Sequence, residues 1–245
     1  MLTNKQIKLI NSLHSKKGRN ENQLFLVEGE KAVLEIIASN VPVEYVVTSE
    51  YYASKYEDLF KLTTLFIEDE ALLHKLSTLV TNSFGFAVVS MDNFVYKLNY
   101  ENQTTVVLDG IRDPGNLGTI IRICDWYGIE QIIMSPDCTD FFNPKVIAAS
   151  MGSYARIKFE YQNLDLIFNA NSQILVIGAL LDGDDIHHVE FPKASFLLFG
   201  NESNGIRPEN IQYIHKKVTI PRYGSAESLN VGISTAIFLD NLRRN

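Results

Sequence analysis

The chain has 245 residues, 46% hydrophobic and 21% charged, an ordinary globular composition with room for one large domain or two smaller ones. No apolar run approaches the roughly eighteen residues needed to span a bilayer, and the opening MLTNKQIKLI lacks the apolar core of a secretion signal. The only cysteines are Cys124 and Cys138, and no Cys/His group has metal-ligand spacing, so the expectation is a reduced, cytoplasmic protein without a metal. The net charge of −7 speaks against general nucleic-acid binding, in which phosphate neutralisation dominates the affinity. Residues 1–20 nevertheless hold Lys5, Lys8, Lys16, Lys17 and Arg19 and no acid. That cluster is either a basic face for RNA phosphates or a solvated helix end.

In chain order, Thr3 is placed to cap a first helix with Ile7, Ile10 and Leu13 as its apolar stripe, and Ser15 to Arg19 should break it. Strands are predicted at Phe25-Leu26-Val27, Val43 to Val47, Thr64 to Ile67 and Phe84 to Met91. Helices are predicted between them, around Ala32 to Ile37, 51–60 and Asp69 to Leu76. Alternation through about residue 95 suggests a small α/β domain. The polar stretch 97–104 reads as a linker. A second series follows: a strand at Val106 to Leu108, a turn, a helix from about Leu117 to Tyr127, a strand at Gln131 to Met134 and a short helix at Pro144 to Met151. Ile174 to Leu180 and Phe196 to Phe199 are continuous apolar runs of the parallel-sheet kind. Val218 to Ile220 is a further strand, and a helix from Leu229 to about Arg243 ends the chain.

Ligands of parallel α/β domains bind beyond the C-terminal ends of the strands. Three junctions there are rich in Gly, Pro, Asn and Ser: 109–118, 199–205 and 220–231. Each by itself reads as turn chemistry; three in one domain point to a site. Arg122 lies among Ile120, Ile121 and Ile123. A guanidinium near a core needs a partner, so it either pairs with a carboxylate such as Glu202 or Asp125 or faces a bound anion such as an RNA phosphate. Ser228 and Asn230 sit where the last helix begins, and either cap it or grip a ligand there. Gly200-x-Glu202-x-x-Gly205 is not a dinucleotide fingerprint, and no P-loop is present, so its glycines would instead let backbone approach a ligand. The five histidines form no hydrolase or metalloprotease order.

At these three loops the sequence resembles the SpoU/TrmH family of RNA 2′-O-ribose methyltransferases, in the SPOUT superfamily. Asn116-x-Gly118 followed by Arg122 resembles the first family motif, Phe199 to Gly205 the second, and Ile220-Pro221 with Glu227-Ser228-Leu229-Asn230-Val231 the third. More loosely, Lys16-Lys17-Gly18-Arg19 and Phe25 to Gly29 resemble the family's substrate-binding domain. The resemblance implies an RNA-binding domain over 1–96 and an α/β SPOUT domain over 104–245, with a parallel sheet and a deep trefoil knot. General topology rules would not have predicted a knot. It implies S-adenosyl-L-methionine (AdoMet) as cofactor, with Gly200, Ile220 and Leu229 lining its pocket, and a homodimer with the active site completed across the interface. Asn116, Arg122, Glu202, Ser228 and Asn230 fall at the family's catalytic positions. Arg222 and Tyr223 depart from the small residues expected in the third loop.

The implied reaction moves a methyl group to a ribose 2′-OH. Arg122 would act at the 2′-OH either as base, with the phosphate or a neighbour relaying the proton, or by holding the adjacent phosphate, the favoured role because a guanidinium stays protonated at neutral pH. Glu202 would fix Arg122 or its loop, Ser228 and Asn230 would orient the ribose, and Lys16, Lys17 and Arg19 would contact RNA phosphates. Ribosomal RNA is the expected substrate. Transfer RNA, a base-directed methyltransferase and a non-catalytic RNA-binding assembly factor on the same scaffold are the alternatives.

Overall fold

The computed structural model of the chain describes residues 1–79 and 81–244. Helix α1 (Asn4–Leu13) starts with a capping box: the Thr3 side chain accepts from the Gln6 N–H, and the Gln6 side chain accepts from the Thr3 N–H. The break after it is shorter than expected, because the Ser15 hydroxyl caps a second helix, α2 (Lys16–Asn22), by accepting from the Gly18 N–H at 3.0 Å. Only glycine fits at position 18, where a Cβ would stand 2.0 Å from the Ser12 carbonyl oxygen. Then come β1 (Leu24–Glu28), α3 (Glu30–Ala38), β2 (Val43–Thr48), α4 (Glu50–Lys55), α5 (Glu57–Phe60), β3 (Leu65–Ile67), α6 (Glu70–Leu76) and β4 (Gly85–Ser90). The single helix expected over 51–60 is two short ones, interrupted at Tyr56 with φ −118° and ψ 28°. The four strands form a mixed sheet in the order β1-β4-β2-β3, with β4 antiparallel to both neighbours.

The second series is β5 (Thr104–Leu108), α7 (Pro114–Trp126), β6 (Gln131–Met134), α8 (Pro144–Ser150), β7 (Lys158–Tyr161), α9 (Leu164–Ala170), β8 (Leu175–Asp185), β9 (Ser195–Phe199), α10 (Pro208–Ile211), β10 (Lys216–Thr219) and α11 (Val231–Arg244). Its six strands form one parallel sheet, β10-β8-β9-β5-β6-β7. Strands β5, β6 and β9 are buried at every residue, which is why they read as unbroken apolar runs. From β5 the chain winds outward through β6 and β7, whereas β9 is followed by β10 at the opposite edge. The strand order thus reverses between β5 and β9, the kind of place where ligands of open α/β sheets bind.

The chain divides into two compact units, one of Met1–Val95 with Asp140–Ala155, the other of Tyr96–Thr139 with Arg156–Asn245. This differs from a single cut between 1–96 and 104–245. Segment 140–155, which carries α8, belongs to the first unit, where Phe142 and Tyr154 pack against Phe25 and Phe94. The stretch 97–104 is no free linker either. Leu98 is buried in the second core, with Tyr96 and Tyr100 packed beside it, and the Leu98 N–H donates to Glu160 at 3.0 Å.

Arg19 corrects the expectation of a phosphate contact. It is 2% exposed, its Nε donates to Asp140 at 3.0 Å, and its Nη1 donates to the carbonyls of Leu13 at 2.8 Å and His14 at 3.1 Å. It closes the C-terminal end of α1 from inside the first unit. Lys16 and Lys17 are exposed, and Lys17 lies 3.7 Å from Glu21.

Candidate active site

The three loops singled out in the sequence leave the C-terminal ends of the parallel strands β5, β9 and β10. The first runs from the end of β5 into α7. Gly110 takes φ +73°, and the Asp113 side chain caps α7 by accepting from the Asn116 N–H at 2.8 Å, with Pro114 at the first helical position. Helix α7 thus begins earlier than predicted, and Asn116 lies in its first turn.

The second loop, after β9, is a tight hairpin. The backbones of Asn201 and Gly205 exchange hydrogen bonds of 3.0 and 2.9 Å. Gly200 is required by contact: a Cβ there would fall 2.1 Å from the Gly205 carbonyl carbon. Glu202 is exposed at the hairpin tip. The third loop leads from β10 through Ile220 and Pro221 to α11. Asn230 caps α11, its Oδ1 accepting from the Gly232 N–H at 2.9 Å.

Capping does not exhaust Asn230. Its Nδ2 donates to Asn116 Oδ1 at 2.8 Å, and Asn116 Nδ2 in turn donates to Glu202 Oε1. One residue from each loop therefore joins a single chain, Asn230 to Asn116 to Glu202. The orientation of each amide is fixed: the helix N–H takes the Asn230 oxygen, which leaves the Asn230 nitrogen to donate to Asn116 Oδ1, and Asn116 then has its own nitrogen to donate to the Glu202 carboxylate.

Beside this chain lies a cavity of about 780 Å³, the size of a small-molecule site. Gly200, Glu202, Ile220, Ser228 and Leu229 are among the residues that line it. Leu180, Ile206 and Phe238 add apolar wall, and Asp182 and Glu227 add acid, against a single cation, Arg222. Ser228 is exposed and makes no hydrogen bond among the described residues.

Arg122 is not where its isoleucine neighbours suggested. It is exposed, has no partner among the described residues, and is not among the cavity-lining residues. Neither proposed carboxylate holds it: Glu202 is taken by Asn116, and Asp125 by Arg156 at 2.7 Å. Thr119, Arg122 and Trp126 are all exposed on α7, and their spacing of three and four residues makes them one stripe.

A second polar cluster went unrecognised in the sequence. Asp109, the last residue before the first loop, is fully buried. It accepts from the Arg207 backbone N–H at 2.9 Å, from the Arg207 guanidinium, and from Asn210 Nδ2 at 2.9 Å. The hydrogen bond to Asp109 holds the Arg207 guanidinium above its ordinary range. Burial alone would raise the neighbouring Asp137, but the Ser135 hydroxyl, Arg207 and Arg112 bring it below the usual carboxylate value. An acid closing an apolar strand, Val106-Val107-Leu108-Asp109, was the available signal.

A parallel sheet with a cavity and a three-loop amide chain at its strand ends defines a small-molecule-dependent α/β enzyme class. Residues 103–240 match the SpoU rRNA methylase family and residues 4–83 the MRM3-like substrate-binding domain. The chain belongs to the SpoU rRNA methylase family. It is 26% identical over 243 residues to the 23S rRNA (guanosine(2553)-2′-O)-methyltransferase RlmP of Bacillus subtilis, covering 98% of this chain and 96% of that protein. Among solved structures, a TrmH-family protein from Porphyromonas gingivalis matches at TM-score 0.86 and 33% identity, with all of both chains covered. An AdoMet-bound rRNA methyltransferase from Sinorhizobium meliloti matches at TM-score 0.86 and 28% identity, covering 100% of this chain and 96% of that one.

The residues present fit AdoMet. Apolar Leu180, Ile206, Ile220 and Leu229 suit an adenine, and Asp182, Glu202 and Glu227 give the cavity the acidic balance that a sulfonium and an ammonium call for.

Proposed function

We infer that this protein transfers a methyl group from AdoMet to a ribose 2′-OH of RNA, and that ribosomal RNA is its substrate. The observation that carries the reading is the Asn230–Asn116–Glu202 chain, which ties three strand-end loops together at the rim of a cavity suited to AdoMet. The full-length likeness to a methyltransferase that acts on 23S rRNA favours ribosomal over transfer RNA.

Bound AdoMet supplies the electrophilic methyl group. The chain's residues do the rest: they orient the ribose, exclude water and manage one proton. Gly200, Ile220 and Leu229 form the cofactor wall. Ser228, with its hydroxyl unengaged, is placed to meet the ribose. Glu202 fixes Asn116 and the first loop, a narrower role than holding Arg122. Arg122 holds the phosphate next to the attacking 2′-OH and so aligns the ribose with the methyl group. Lys16 and Lys17 serve the RNA from the first unit.

Because Arg122 stands outside its own protomer's cavity, the reading includes a homodimer in which the Arg122 of one copy serves the cavity of the other. Trp126, 83% exposed on the same stripe, and Ile233, 53% exposed on α11, are the apolar surface such an interface would cover. The trefoil knot implied by the resemblance belongs to this reading, supported by the shared cavity of the 200–205 and 220–229 loops. Among the described residues no helix is long and apolar enough to cross a membrane, and no group of three metal-ligating side chains occurs. A cytoplasmic setting suits two unpaired, buried thiols.

Calorimetry with AdoMet, and nucleoside mass spectrometry of ribosomal RNA from cells with and without the protein, test this. The expected result is binding, together with a methyl on a nucleoside whose base mass is unchanged. A methylated base would make it a base methyltransferase. Absent AdoMet binding would leave a non-catalytic RNA-binding protein.

A further inference from the structure

The buried cluster around Asp109 joins two of the three loops tied by the amide chain, the first and the second. Asp109 opens the first loop and Arg207 follows the second by two residues. Between them, Asn201 Nδ2 donates to the Gly110 carbonyl at 2.7 Å. So the 200–205 hairpin is fastened to the 109–116 loop at its base through Arg207 and Asn201, and at its tip through Glu202 and Asn116. Of these fastenings only the Arg207–Asp109 one carries a buried charge. Asp109 has no exposed side-chain surface; Arg207 gives it two hydrogen bonds and an ion pair, and Asn210 a third hydrogen bond. The other charged groups facing the pair are Asp137, 3.3 Å from the Arg207 Nη2, Glu209, 3.8 Å from its Nε, and Arg112, 3.4 Å from Asp137. None of them can replace Arg207, because the acids repel Asp109 and Arg112 is spent on Asp137.

We propose that Arg207 is a positioning residue for methyl transfer: by neutralising buried Asp109 it clamps the hairpin against the first loop and keeps Glu202 on Asn116 and the cofactor cavity closed. This rests on the AdoMet-dependent function inferred above. It predicts a change in the pH behaviour of cofactor binding that a general loss of packing would not give. Without Arg207 a buried carboxylate is not tolerated as an anion. Where Asp109 is protonated it stays neutral and hydrogen-bonded, and the loops stay together. As pH rises it ionises, water enters, and the hairpin releases Glu202.

The test measures KM for AdoMet, kcat and AdoMet affinity between pH 6 and 9 for four proteins: wild type, Arg207→Gln, Arg207→Lys and the double variant Asp109→Asn/Arg207→Gln. Wild type should be nearly flat in KM. Arg207→Gln should lose roughly tenfold or more in AdoMet affinity across that range as pH rises, with kcat at saturating AdoMet changed less than KM. Arg207→Lys, which keeps the charge, should return to within about threefold of wild type. The double variant, which removes both charges, should again be flat. An equal loss at every pH in Arg207→Gln, or a double variant no better than it, overturns the proposal. Should Arg207→Gln not fold, the double variant decides. Binding within about threefold of wild type without pH dependence supports the clamp, and binding tenfold weaker overturns it. Wild-type protein that neither binds AdoMet nor methylates RNA would instead sink the functional reading, a result separable from all of these.

Discussion

Arg19 in the first unit and Arg122 in the second are placed opposite to what their neighbours in sequence suggest. Arg19 follows two lysines in a run without acids, which reads as solvated surface, yet it is 2% exposed and bonded to Asp140, 121 positions away. Arg122 is flanked by isoleucines, which reads as core, yet it is exposed and unpartnered among the described residues. The difference teaches that a charge's environment follows the face of its helix, not the composition of its window. On α7 the buried positions are Leu117, Gly118, Ile120, Ile121 and Cys124, and Arg122 falls a hundred or so degrees from each adjacent isoleucine. On α2 Arg19 is one of two residues facing inward, beside Gly18. A buried arginine is spent on architecture; an exposed, unpaired one on a helix among enzyme loops is left over for a ligand.

The sharpest way to break this contrast is to remove Arg19. Arg19→Ala leaves Asp140 without its counter-charge and two carbonyls without a donor. It should destabilise the protein by about 3–5 kcal/mol, read by denaturant unfolding, while RNA affinity of the folded fraction stays within about twofold. A loss of RNA affinity at unchanged stability would return Arg19 to the phosphate-binding face.

The converse change, Arg122→Ala, should leave the melting temperature nearly unaltered and AdoMet affinity within a few-fold. Turnover should fall by roughly a hundredfold or more, the scale of a lost positioning contact. Unchanged turnover would make Arg122 a bystander on an exposed stripe.

Lys16 and Lys17 sit beside Arg19 in sequence but are exposed. Replacing both with Ala should weaken RNA binding by several-fold and reduce the slope of log affinity against log salt by about 1.4–1.8 if each neutralises one phosphate. An unaltered slope in a filter-binding titration would show that α2 never meets the RNA.

The smallest effect concerns thiols. Cys124 and Cys138 both belong to the second unit, and burial pushes both above the ordinary thiol value. Neither should react with a thiol reagent at pH 8 until the second unit opens, so their labelling reports that unit alone. With the folded thiols ionising later than the unfolded ones, their contribution to stability is full below about pH 8.5 and declines as pH rises beyond it. A melting temperature that increases from pH 8 to 9.5 would contradict the sign.

Much of the site was legible because its residue types have local reasons to be where they are. Gly200 stands where no Cβ fits, and Asn230 does what a residue before a helix does. The Asp109–Arg207 pair was not legible, since its partners lie 98 positions apart and Arg207 falls outside the three loops of unusual composition. Strand β7 and helices α9 and α10 were also missed. They are short, and β7 is buried at only one of its four residues, so neither periodicity nor an apolar run announces it.

The sequence by itself determined most of the strands and helices, the parallel character of the second sheet and the three loops singled out for the chemistry. These follow from apolar runs, caps and turn residues that act over a few positions. Only the tertiary structure decided which unit owns 140–155, which arginine is buried, and which amide faces which carboxylate. Those outcomes depend on contacts a hundred residues apart, and a side chain's direction becomes defined only once its element is packed.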